Sequence, residues 1–237
     1  MSALALALVL LASPRELNDA GMKAYRAKQL EQAVEQFRKA LEEDPEEKTA
    51  GPSVKEQVER AKLRALIHHN LACAQALLRA KGQVCVTDNY RSVIVKHLHE
   101  SVKYDPSRLD RATRDPDLAA VRDTLGFQSL LGLSISRDGD LPALLPRVRW
   151  WSPGEGAYGS TQELTFKADG TCESKRKMMS ADGRPMPPKA TRGRWKLDGR
   201  KLTIDWGAGT KTEGQVTDTG LELDGTRWAD SPSECEA

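Results

Sequence analysis

The spacing of apolar residues changes once along this 237-residue chain, and the change limits the fold more than any single motif. As far as about residue 132 they recur every three to four positions, the spacing of one helical face. Beyond residue 149 they recur every second position, the spacing of one face of a strand. All five tryptophans (Trp150, Trp151, Trp195, Trp206 and Trp228) fall after the change. Two cores of different composition are expected, hence a two-domain α+β chain. Helices occupy residues 13–135 and an antiparallel β domain residues 149–237. Between them 136–148, "SRDGDLPALLPRV", reads as a linker, with Asp-Gly, two prolines and no helical period.

The helical part is punctuated. Ser13-Pro14-Arg15-Glu16 supplies a capping box with proline in the first turn. Leu17, Ala20, Gly21, Ala24 and Tyr25 line the helix that follows. Leu30, Ala33, Val34, Phe37, Ala40 and Leu41 line a second, which stops at Asp44-Pro45. Gly21, Ala33 and Ala40 let two antiparallel helices approach closely, while Tyr25 and Phe37 fill the remaining gaps. A second pair opens with another capping box, Ser53 to Glu56. It runs through "AKLRALIHHNLACAQALLRAKG", passes an insertion "QVCVTDN", and ends with "YRSVIVKHLHESVKYDP".

The Gly/Ala, Ala, aromatic, Ala, Pro offsets of Gly21 to Pro45 resemble the tetratricopeptide repeat, matched fully once and more loosely in the second pair, which lacks the alanine expected near Ile94. The resemblance covers residues 15–132. It implies helical hairpins whose concave groove binds a peptide or a partner helix, with Asn18, Met22, Tyr25, Asn70 and Gln75 on that groove. The specialised carboxylate clamp is not expected, because Asn18 and Met22 stand where a Lys and an Asn are required and only Asn70 matches in the second repeat. Two repeats leave apolar ends. "RDPDLAAVRDTLGFQSLLGL", with Asp115 as cap and Leu118, Val121, Leu125 and Phe127 on its apolar side, predicts a capping helix.

In the last third, Asp169-Gly170, Asp198-Gly199 and Asp224-Gly225 separate alternating runs and predict hairpins. Leu164, Phe166, Trp195, Leu197, Leu202, Ile204, Trp206, Val216, Leu221 and Leu223 would share one inner face of a meander that closes into a small barrel. The order "LTFKADGT…GRWKLDGRKLTI" resembles small lipocalin-like domains of secreted bacterial proteins. Trp150 and Trp151 are adjacent and must point to opposite sides of their strand, so one is left for a ligand edge or an interdomain contact.

Formal net charge is only +2, with 14 basic and 14 acidic residues from Arg149 onward, so no global field favours nucleic acid. Between Cys172 and Lys201, however, ten basic residues face three acidic ones. Lys175, Arg176, Lys177, Arg192 and Arg194 are the candidates for an anionic surface, against the alternative of a solvated face. Cys172 with Cys235 is a candidate disulfide, and Cys73 with Cys85 another, against free thiols in each case; no CxxC spacing suggests zinc. His68, His69, His97 and His99 lie on the second helical pair. Neighbours on a helix point about 100° apart, so exposed histidines and no metal are expected.

The first twelve residues, "MSALALALVLLA", have the length of a signal-peptide core, although no basic residue precedes them and Leu10 stands where a small residue is preferred. Export to the periplasm or beyond is expected; an uncleaved run packed on the domain would leave the protein cytoplasmic. There is no Gly-x-Ser-x-Gly, phosphate-cradling glycine loop or His-Glu-x-x-His, and no histidine in the β domain. The expectation is therefore a noncatalytic protein without cofactor that binds another polypeptide through its helices. The alternative is a carrier that takes a small apolar ligand, a lipid or glycan, in the tryptophan-rich β domain.

Overall fold

Both capping boxes form. The Ser13 backbone N–H donates to Glu16 Oε2 at 2.8 Å while Glu16 N–H donates back to Ser13 Oγ, and Ser53 and Glu56 repeat the arrangement. These caps start α1 (Pro14–Arg26) and α3 (Val54–Ala80); α2 spans Leu30–Glu42 and α4 Arg91–Tyr104. The computed structural model describes residues 12–44, 53–153, 161–178, 180, 184 and 186–232. The apolar run of residues 1–12 lies outside them except for its last residue.

Successive helices pack as antiparallel neighbours. A methyl group at Gly21 would stand 2.5 Å from Phe37 Cε1, so the ring lies directly on the α1 backbone and no larger residue fits. Ala24, Leu30, Ala33, Phe37 and Ala40 complete this contact with Ile67, Leu71 and Ala74 of α3. On the other side of α3, Ala72, Cys73 and Ala76 pack with Ile94, Val95 and Leu98 of α4.

The closing segment buries the residues expected of it but is not one helix. Leu118, Val121 and Phe127 are buried, yet the chain forms α5 (Arg108–Arg114), a 3-10 turn at Pro116–Leu118, further turns, and α6 (Leu125–Leu130). Two polar residues cause the break. Thr124 accepts Phe127 N–H and begins a new helix, and Asp123 pairs with Arg91 and, at 3.0 Å, with Arg149. Asp230 joins the same contact: its carbonyl accepts from Arg91 and its carboxylate accepts Leu125 N–H. This polar seam ties the helical domain to the β domain.

The β domain is an eight-stranded antiparallel meander: β1 (Arg149–Pro153), β2 (Thr161–Phe166), β3 (Thr171–Lys177), β4 (Lys189–Asp198), β5 (Lys201–Gly207), β6 (Thr210–Val216), β7 (Leu221–Leu223) and β8 (Thr226–Trp228). Reciprocal bonds between Trp151 and Ala229, 2.7 and 2.8 Å, bring the last strand back to the first, so the sheet is nearly a closed barrel. The three Asp-Gly turns are present. Asp224 at φ 47° and Gly225 at φ 75° give the left-handed pair that a two-residue hairpin requires. Every residue assigned to the inner face belongs to this core or packs on it.

The stretch read as a linker is a plug. Residues 136–148 form a 3-10 turn at Asp138–Asp140, α7 (Leu141–Leu144) and a second 3-10 turn at Leu145–Arg147. Leu141, Leu144 and Leu145 are completely buried in the barrel core beside Ile135 and Val148. The prolines misled because Pro142 and Pro146 occupy first-turn positions, where proline starts a helical turn rather than breaking one. Arg200, in the β4–β5 turn, holds the plug by donating to the carbonyls of Ile135 and Val216 and pairing with Asp138 and Asp218.

Candidate functional site

The plug closes one end of the barrel, and the inward residues change character toward the other. Along β2 they run Phe166, Leu164, Gln162; along β4, Leu197, Trp195, Gly193, Thr191; along β5, Leu202, Ile204, Trp206; along β6, Val216, Gly214, Thr212. Each row begins apolar at the plug and becomes polar or aromatic at the far end, where the β1–β2, β3–β4, β5–β6 and β7–β8 connections leave. A cavity of about 500 Å³ lies there, lined chiefly by Gln162, Ser174, Thr191, Trp206, Thr212, Thr226 and Trp228.

The cavity walls are built by local rules. A methyl group at Gly193 would meet Trp206 Cε3 at 2.8 Å, so this glycine makes room for the indole to lie across β4. Trp206 is then fixed by donating its N–H to Thr212 Oγ1 at 3.0 Å, and Gln162 donates to Ser174 Oγ at 2.8 Å. Trp228, 6% exposed, has no partner for its indole N–H among the described residues. The same holds for the Trp150 indole and the Ser152 hydroxyl on the neighbouring strand. Asp224 is the one ionisable residue among the described lining residues, and its Oδ1 accepts Glu213 N–H. The lining thus offers aromatic faces and hydroxyls.

The polar inward positions stand out less in the sequence than the apolar half of each alternating run. The signal was present: a strand that puts Leu164 and Phe166 inward must put Gln162 inward too. Of the tryptophan pair, Trp150 is fully buried inside and Trp151 lies on the outer side, 9% exposed, with Lys177 Nζ 5.7 Å from its ring centre.

The groove residues do not form an open surface. Asn18 and Asn70 are buried and bonded to each other at 3.0 Å. Gln75 is wholly buried in α3. Met22 is half-buried, and the half-buried Tyr25 donates its hydroxyl to Asp117. Burial and the neighbouring carboxylates push the Tyr25 phenol well above its ordinary range. Residues 115–118 therefore lie against the face of α1 and α3 on which a peptide was expected.

Four of the five basic residues share the outer face of β3 and β4, and Arg176 alone turns to the inner one. Lys175 and Arg192 share Glu173 at 3.0 and 3.3 Å, with Arg194 on the same outer face; Lys177 stands over Trp151, and Arg176 is turned to the opposite face. Cys172 is buried in the barrel core, where desolvation raises its thiol to about 11. Its expected partner, Cys235, lies outside the described residues. Cys73 carries no disulfide to Cys85.

The adjacent histidines do point apart, but they are not simply exposed. The His68 and His97 Nδ1 atoms face each other at 3.1 Å. His69, 1% exposed, meets Asp115 at 3.2 Å, and only His99 is on the surface. No described helix is long and apolar enough to cross a membrane. The chain matches no protein-family model, no curated protein and no solved structure.

Proposed function

We propose that this chain is a noncatalytic binding protein whose barrel takes one small amphiphile of the lipid or glycan class through the end opposite the plug. The observation that carries this reading is the cavity of about 500 Å³ flanked by Trp206 and Trp228 and lined by hydroxyl side chains. The volume suits a small molecule, since ligand sites commonly measure about 300–1,000 Å³. Hydroxyls and indoles, with Asp224 the one ionisable side chain among the described lining residues, fit binding better than turnover.

In this reading the helical domain is a collar held on the barrel by Arg91, Asp123 and Arg149. Docking of a partner polypeptide on α1 and α3, the role the tetratricopeptide resemblance implies, would first require residues 115–118 to leave that face. Export through the N-terminal run belongs to the same proposal, as a carrier that works outside the cytoplasm.

The test uses anilinonaphthalene sulfonate, a dye with an aromatic body and acceptor oxygens. At about 0.3 kcal/mol per heavy atom a molecule of this size binds with a Kd on the order of 10 µM. The full chain should enhance dye emission with that affinity and one site. Thr226→Trp, which fills the cavity from its rim, should weaken binding at least tenfold with the far-ultraviolet circular dichroism unchanged. Equal binding by both proteins would defeat the proposal.

A further inference from the structure

Among the described residues one group brings three metal-binding side chains together outside the barrel: His69 and Cys73 of α3 with Asp115 at the start of the Pro116–Leu118 turn. We propose that this is a binding site for a single zinc-class divalent cation, which staples the 115–118 turn to α3. His69 and Cys73 are four residues apart, so they project from one helical face. The residue between helical turns that completes the set comes from elsewhere in the chain.

Two of the three ligand distances match a tetrahedral site. Bonds of about 2.0–2.1 Å to nitrogen or oxygen and about 2.3 Å to sulfur put ligand atoms about 3.3–3.6 Å apart. His69 Nε2 lies 3.2 Å from Asp115 Oδ2, and Cys73 Sγ lies 3.6 Å from the same oxygen. All three ligand atoms fall within 4.8 Å of one another. Asp115 is already oriented, because its other oxygen accepts Asp117 N–H at 3.1 Å. A structured second contact of this kind is what a ligating carboxylate needs.

The site is enclosed. His69 is 1% and Cys73 4% exposed. His69 turns Nε2 toward the cluster, and its buried Nδ1 has no partner among the described residues. Thiolate and imidazole ligands select zinc and its neighbours over magnesium or calcium. Three protein ligands leave the fourth position to water.

The full chain, stripped with a chelator, should be titrated with Co²⁺ as a spectroscopic stand-in and then with Zn²⁺. One equivalent of Co²⁺ should give the strong visible bands of a tetrahedral site together with a near-ultraviolet thiolate charge-transfer band, both erased by one equivalent of Zn²⁺. Cys73→Ser should remove the charge-transfer band, and the near-isosteric Asp115→Asn should weaken Co²⁺ binding about 100-fold. Cys85→Ser should change neither. Added Zn²⁺ should raise the thermal midpoint of the wild type and not that of Cys73→Ser. A wild-type protein that takes up no Co²⁺, or bands that survive Cys73→Ser but vanish in Cys85→Ser, would overturn the assignment.

Discussion

The two ends of the barrel are made from the same eight strands and differ in what fills them. At the plugged end Leu141, Leu144 and Leu145 are completely buried against Leu202 and Leu221, and Arg200 spends its guanidinium on two carbonyls and two carboxylates. At the open end the inward positions are Gln162, Ser174, Thr191, Thr212 and Thr226 around two indoles. A strand pattern fixes which residues point inward but not whether the space they enclose is to be filled. The plug fills one end with apolar side chains; the mouth keeps a cavity. Substitutions at the two ends should therefore have opposite signatures.

The largest effect belongs to the plug. Leu144→Asp places an unpaired carboxylate in a fully buried site, and a loss of about 4 kcal/mol or more is expected. Thr212→Val at the mouth, which removes the acceptor of the half-buried Trp206 indole, should cost only about 1–2 kcal/mol, while altering dye binding. Urea unfolding followed by tryptophan emission reads both, because all five tryptophans lie in the β domain. Comparable losses at the two ends would break the distinction. Arg200→Ala should cost less, about 2–3 kcal/mol for several charge-assisted hydrogen bonds at a partly exposed side chain. Arg200→Lys should recover less than half, since an ammonium group cannot fork between Ile135, Val216 and the two carboxylates.

The plug also shows where sequence reading stops. The alternation and the Asp-Gly turns specified the meander and its inner face because each rests on local geometry: period two, and left-handed φ at Asp224 and Gly225. Gly21 and Phe37 were legible for the same reason, as a close approach written in residue size. Leu141 to Val148 carry no period because the segment changes direction at each short turn, so its burial depends on a barrel assembled afterwards from strands C-terminal to it. The groove failed differently. Asn18, Tyr25 and Asn70 were placed on the right helices, but their availability depended on residues 115–118, which fold back through Asp115 and Asp117. Long-range covering of this kind leaves no spacing to read.

A control in the other domain sharpens the comparison. Gly21→Ala forces a methyl group against the Phe37 ring and should cost the helical array about 1–3 kcal/mol. Helix-reported unfolding at 222 nm should shift to lower urea, and Gly21→Ala with Phe37→Leu should recover part of the loss. Emission from the barrel tryptophans should shift less than the helical signal; a coincident shift would mean that the Arg91–Asp123–Arg149 seam couples the domains into one unit.

The smallest expected effect is a dependence on acidity, and it too separates the halves, because every histidine is helical. Desolvation, together with the neighbouring positive charge of Arg64, Lys103, Arg38 and Lys96, lowers both His68 and His97 from 6.5 to about 4, against the opposing pull of Glu100 and Asp88. With Nδ1 facing Nδ1 at 3.1 Å, one ring donates and the other accepts, an arrangement that two imidazolium rings cannot keep. Between pH 6.5 and about 4 the unfolded chain therefore binds protons that the folded chain refuses. Stability conferred by the neutral pair is whole above pH 6.5, falls as the pH drops through that window, and changes little from this source below it. Partial exposure of the rings limits the loss to about 1 kcal/mol. Helical unfolding midpoints measured from pH 7.5 to 4 should fall in the wild type and flatten in His97→Gln, which keeps a hydrogen-bonding group but cannot titrate; an equally steep fall in that variant would move the pH sensitivity away from this pair and onto buried His69.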